Sequence, residues 1–172
     1  INENYFLSFD GNNEYVDLGQ SVWGSLQIGT VSGSFNLDNL DDTRYIIGES
    51  SYSGYGALGL RVDAAGLVWA SVNNGALGSG CSFEFPNGTV SAGQWYHYAI
   101  TWDNSSRSFY LYNDNGLVVE STQTDCENGT SDNIASDLIG KSWDMATWLG
   151  DIDNLSVWNI YMDQSDIENY IL

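Results

Sequence analysis

The sequence predicts an all-β protein: an antiparallel β-sandwich closed by one short C-terminal helix. Two observations carry this. Apolar and polar residues alternate with period two over most of the chain, as in Ala57-Leu-Gly-Leu-Arg-Val62 and Leu67-Val-Trp-Ala-Ser-Val72. Such alternation puts successive side chains on opposite faces of a strand. Turn residues interrupt it roughly every 8–12 residues, the rhythm of short sandwich strands. The 172 residues are 42% hydrophobic and 14% aromatic, enough for one domain with a full core and too apolar for disorder.

The elements follow in order. Tyr5-Phe-Leu-Ser-Phe9 ends at the turn Asp10-Gly11, and Tyr15-Val-Asp-Leu18 is a short second strand. Gly33-Ser-Phe-Asn-Leu37 runs into an acidic turn at Asp38–Asp42. Arg44-Tyr-Ile-Ile-Gly48 precedes a Ser/Tyr/Gly loop from Ser50 to Gly56. The runs at 57–62 and 67–72 flank Asp63-Ala-Ala-Gly66, a hairpin turn, and Asn73-Asn-Gly75 ends that pair. Gln94–Trp102, Ser108–Tyr112 and Leu117–Ser121 form a meander, turning at Asp103-Asn-Ser-Ser106 and Asn113-Asp-Asn-Gly116. Leu138-Ile-Gly140 and Leu149–Trp158 are the last strands. From Asp163 the pattern changes: an Asp suited to an N-cap is followed by Ile167 and Ile171 four apart, which predicts a helix. Asp153 shares parity with Leu155 and Val157 in the last strand, so it is expected to point inward with them. A carboxylate there needs hydrogen bonds or a cation.

Charge narrows the partners. Lys and Arg total 4 against 23 Asp and Glu, a formal charge of -19. Phosphates would be repelled, which excludes nucleic acid and disfavours an anionic membrane surface. No apolar run approaches the roughly 20 residues that span a bilayer. Cys81 and Cys126 lie in turn-rich stretches outside any Cys-x-x-Cys pair, with the single His97 remote in sequence. Zinc is therefore not expected. A disulfide between two loops is the expected reading and implies an oxidising, extracytoplasmic compartment; two buried thiols are the alternative. The chain starts at Ile1 with no basic or apolar leader and reads as one domain, residues 1–172, of a longer extracellular protein.

Three stretches together resemble a known family. Leu7-Ser-Phe-Asp-Gly11 followed by Tyr15-Val-Asp-Leu-Gly19 looks like the first two strands of the LamG-like jellyroll domains. Those domains belong to the concanavalin A-like lectin/glucanase superfamily, with laminin G modules and pentraxins as distant relatives. Gly93-Gln-Trp-Tyr-His-Tyr-Ala-Ile-Thr-Trp-Asp103 with Phe109–Val118 looks like their central hairpin. Gly150-Asp-Ile-Asp-Asn-Leu-Ser-Val-Trp-Asn159 looks like their closing strand. The resemblance implies a jelly-roll sandwich. It departs at Asn154, where a carboxylate is usual, and at Ser156, where a basic residue is usual. The fold hosts lectins, adhesion modules and hydrolases, so it does not settle function.

The glucanases of this superfamily carry Glu-x-Asp-x-Glu or Glu-x-Asp-x-x-Glu strands, which hold two acids about 5–5.5 Å apart. No such spacing occurs here. A Gln-Ile-His lyase strand is also missing, since Gln27-Ile28 is followed by Gly29. His97 has the parity of Ala99 and Thr101 and reads as a structural imidazole on a sheet face. Catalysis is therefore not expected.

Hard cations want clustered oxygens, and the resemblance implies that calcium at the sandwich edge is common. Asp10, Asp151 and Asp153 are the expected ligands, if the first strand neighbours the last. The Asp38–Asp42 run reads as a solvated acidic turn. Sugar sites combine aromatic faces with a few placed polar groups. Two loops have that composition, so Tyr52, Tyr55, Trp143 and Asp144 are expected to bind ligand, with Asn73 and Asn74 as polar partners. The expectation is a non-catalytic extracellular recognition module that binds carbohydrate with calcium assistance. A protein-binding or spacer module is the alternative, and a divergent glycosidase a weaker one.

Overall fold

The computed structural model describes residues 6–23, 26–50, 58–72, 81–126, 136–143 and 145–171. Among the described residues twelve strands and one helix follow one another as β1 (Leu7–Asp10), β2 (Val16–Asp17), β3 (Gly29–Leu37), β4 (Arg44–Glu49), β5 (Leu58–Val62), β6 (Val68–Val72), β7 (Cys81–Phe85), β8 (Trp95–Trp102), β9 (Ser106–Asn113), β10 (Gly116–Thr124), β11 (Asp137–Ile139), β12 (Leu149–Trp158) and α1 (Gln164–Tyr170). They form two six-stranded sheets, a front sheet ordered β1-β12-β3-β8-β9-β10 and a back sheet ordered β2-β11-β4-β5-β6-β7. Every pairing between named strands is antiparallel. The jelly-roll expectation therefore holds.

The core lies between the sheets. Phe35, Tyr98, Ile100, Phe109 and Leu111 face inward from the front, and Leu60, Val62, Val68, Ala70 and Phe83 from the back, each at most 2% exposed. Aromatic rings join the layers: Phe109 of β9 meets Phe83 and Phe85 of β7 with centroids 6.2 and 5.2 Å apart. Trp148 packs edge-on to Phe35 at 5.6 Å. Truncating one such ring to Ala costs about 3–5 kcal/mol.

Period two fails where the backbone needs something else. β12 carries an extra residue between Asp153 and Ser156, and Asn154 sits there at φ +52°. Asn tolerates this left-handed conformation better than most residues. The bulge corrects the parity argument for Asp153. Ile152 is buried before it, Leu155 and Val157 pack on the core after it, and Asp153 is left on the outer face.

The cysteines are bonded, with Cα atoms 5.7 Å apart. Their setting differs from two loops: Cys81 opens β7, and Cys126 lies just beyond β10. Those strands are the edges of the back and front sheets. The bond therefore ties one layer to the other along an open side.

The helix is where the sequence placed it. Asp163 caps it, its side chain accepting from Asp166 N while Asp166 accepts from Asp163 N. Ile167 packs with Met162, Ala99, Tyr110 and Tyr112 in a second cluster on the outer face of the front sheet. Thr30 and Thr101 Oγ1 each accept from Met162 N at 3.2 Å, anchoring the approach to the helix. No helix among the described residues is long and apolar enough to cross a membrane.

Candidate functional site

The outer face of the front sheet is half covered. On β8, Tyr96, Tyr98, Ile100 and Trp102 belong to the main core, which leaves Trp95, His97, Ala99 and Thr101 on the opposite face. The α1 cluster takes Ala99 and Tyr110. Beyond the helix the face opens into a groove of about 460 Å3. That is within the range of small-molecule sites.

Register builds the groove floor. Asp153 lies opposite Ser34, Ser34 opposite His97, and His97 opposite Tyr112. These four side chains form one row across β12, β3, β8 and β9, and all line the groove. At about 4.8 Å per strand the row spans roughly 14 Å. Phe6 and Trp95 form an aromatic wall, edge to face with centroids 6.0 Å apart. Asn113 and Asp114, from the β9–β10 turn, line the groove as well.

Ser34 Oγ lies 2.7 Å from His97 Nδ1. Burial lowers the His97 pKa, so the imidazole is neutral at pH 7. Burial also pushes the Tyr112 hydroxyl up to about 12, so it stays protonated. His97 Nε2 and Tyr112 Oη are both shut off from solvent and meet no partner among the described residues. A buried polar atom left bare costs about 1–3 kcal/mol. Neutral imidazole and phenol each offer hydrogen-bonding capacity there.

The expected residues fall differently. Asp153 is in the groove, but its Oδ1 accepts from Asn154 N at 2.7 Å and does not face the core. Asp10 closes the turn after β1, its Oδ1 accepting from Asn12 N at 2.7 Å. Asp151 lies opposite Ser8 of β1. The first strand does neighbour the last, yet no three His, Cys, Asp or Glu side chains among the described residues gather into a metal-holding group. Asp10, Asp151 and Asp153 are therefore not gathered into one such group. Trp143 is half exposed at φ +38°, and its N donates to Glu49 O on the back sheet, away from the groove. Tyr52, Tyr55, Asn73, Asn74 and Asp144 lie outside the described residues.

The reading of His97 on a sheet face holds, but its neighbours Ser34, Trp95, Tyr112 and Phe6 were missed. The signal was the shared parity of Trp95 and His97. Which strands flank β8 is a property of topology, and one sequence does not print it.

Two antiparallel six-stranded sheets packed over one core define a jelly-roll sandwich. The sequence matches the Laminin_G_3 family of the concanavalin A-like lectin/glucanases superfamily over residues 10–168, and the chain belongs to that family. No curated protein matches the sequence. The fold is similar to that of the Ruminococcus gnavus IT-sialidase CBM40, with TM-score 0.72 at 14% identity over 94% of each chain. That module has also been solved bound to α2,3-sialyllactose. The NanB sialidase of Streptococcus pneumoniae matches with TM-score 0.70 at 15% identity, over 96% of this chain and 27% of that one. A SAP-like pentraxin from Limulus polyphemus matches with TM-score 0.57 at 20% identity, over 91% and 76% of the two chains. At these identities the likeness is one of fold.

Proposed function

We propose that this chain is a non-catalytic carbohydrate-binding module of a larger extracellular protein, and that its ligand lies in the front-sheet groove. One observation carries the reading: an aromatic wall, Phe6 and Trp95, shares a groove with the row Asp153–Ser34–His97–Tyr112. Aromatic faces suit sugar C–H groups, and the polar row suits hydroxyls. The similar CBM40 module, solved with sialyllactose, supports a glycan as the ligand class. The disulfide supports an oxidising compartment.

Binding rather than cleavage is favoured by the spacing of the acids. Asp153 is on β12 and Asp114 in the turn after β9, and β3 and β8 lie between those two strands, which are about 14 Å apart across the sheet. Paired glycosidase acids stand about 5–9.5 Å apart. His97 offers Nδ1 to Ser34, and among the described residues no carboxylate orients its other nitrogen as a serine triad requires. This reading rests on the aromatic wall and the polar row and does not require calcium.

The test is a broad glycan array probed with the wild-type chain and with Trp95→Ala. Wild-type binding that the variant loses, at an unchanged melting temperature, is the expected result. Silence of the wild-type chain on every glycan overturns the reading.

A further inference from the structure

We infer that the groove selects uncharged glycans and discriminates against acidic ones such as those ending in sialic acid. This rests on the groove being the glycan site. It departs from what the structural likeness to a sialyllactose-bound module suggests.

The argument is an inventory of cations. The chain has four Lys and Arg side chains, and all four are engaged elsewhere. Arg44 is buried, donating to Thr147 O at 2.6 Å and to Asp41 Oδ1 at 2.8 Å. Arg61 lies on the back sheet with its guanidinium 4.5 Å from the Trp69 ring centroid and 5.9 Å from that of Tyr45. Arg107 is fully buried at the start of β9 and donates to Ser106 O at 2.9 Å, at the opposite end of the strand from Tyr112. Lys141 sits over the Tyr15 ring at 4.8 Å. None lines the groove.

The groove does hold two carboxylates, Asp153 and Asp114. Its one titratable nitrogen base, His97, is uncharged at neutral pH because it is buried. A ligand carboxylate placed there meets like charge and no counter-charge, inside a domain of formal charge -19. An acidic group that loses water without gaining a cation is disfavoured. Neutral hydroxyls face no such penalty, and Asp153 and Asp114 can accept from them. The deciding feature is thus the placement of the cations rather than the shape of the fold.

The test compares matched pairs on one array: lactose- and N-acetyllactosamine-terminated glycans, their α2,3- and α2,6-sialylated forms, and neutral and uronic-acid polysaccharides. Neutral members bound at least about tenfold more tightly than their acidic counterparts is the expected result. Asp153→Asn with Asp114→Asn should narrow that ratio by several-fold, and raising NaCl from low salt should narrow it in the wild type, because salt screens exposed charges. Acidic glycans bound as well as or better than neutral ones overturn this inference while leaving glycan binding in place. A ratio that neither the double variant nor salt moves overturns it too. Failure of every glycan to bind instead overturns the underlying site reading.

Discussion

Replacing both cysteines with serine isolates what the inter-sheet bond contributes. Cys81 and Cys126 are 45 residues apart in sequence and join the edge strand of the back sheet to the end of the front-sheet edge strand. Closing a loop of about 45 residues removes about 13 cal/mol/K from the unfolded chain in the entropy model, or about 4 kcal/mol at 25 °C. Unfolding entropy of about 2.1 cal/mol/K per residue, over 172 residues, is about 360 cal/mol/K. The expected fall in melting temperature is therefore about 11 °C. Cys81→Ser with Cys126→Ser, compared with the oxidised wild type by scanning calorimetry, measures it. The wild type melted under full reduction serves as control and should match the variant within a few degrees. A fall of less than about 3 °C in both would refute the entropic account. It would mean that the unfolded chain already holds these strands together, or that the bond strains the native state.

Two further outcomes follow from particular side chains. Burial lowers the pKa of His97 in the folded state, so the unfolded chain binds the proton more readily. This contribution to stability is present above the unfolded value of about 6.5 and is lost as pH falls below it. Urea midpoints at pH 7.5 and 5.5 should show a smaller pH difference for His97→Gln than for the wild type; equal differences would refute it. At the β12 bulge, Asn154 holds φ +52°. Asn154→Val should cost about 1–2 kcal/mol and Asn154→Gly much less, measured by urea denaturation; a Val variant as stable as Gly would refute the strain.

The fold was readable because period-two alternation reports burial directly. The alternating runs at 57–62 and 67–72 hold β5 (Leu58–Val62) and β6 (Val68–Val72), and Asp163 with Ile167 became a capped helix. The misses have physical causes. Gly29–Ser32 was omitted from β3, although it is all strand. Its Thr30 and Ser32 are polar yet buried, Thr30 against the segment leading to α1, so burial on both faces erased the alternation. Cys81–Phe85 does alternate, buried at 81, 83 and 85, but the Gly/Ser-rich approach to it looked like loop. Gly150 shows a limit of a different kind. Its φ of +131° and the collision a Cβ there would make with the Asn36 carbonyl depend on β3 lying alongside, which no local pattern announces.

The candidate site turned on a single residue count. An unbroken period through β12 puts Asp153 among Leu155 and Val157, where an ion or a set of N–H donors would have to neutralise it. The extra residue at Asn154 resets the phase, so Leu155 and Val157 stay on the core and Asp153 joins Ser34 and His97 outside. The shift removes the reason to expect a cation at that carboxylate and supplies the reason to expect an uncharged ligand beside it. Asn at 154 suits both sides of this change. It accepts the left-handed backbone more readily than most side chains, and it adds no further negative charge next to the groove.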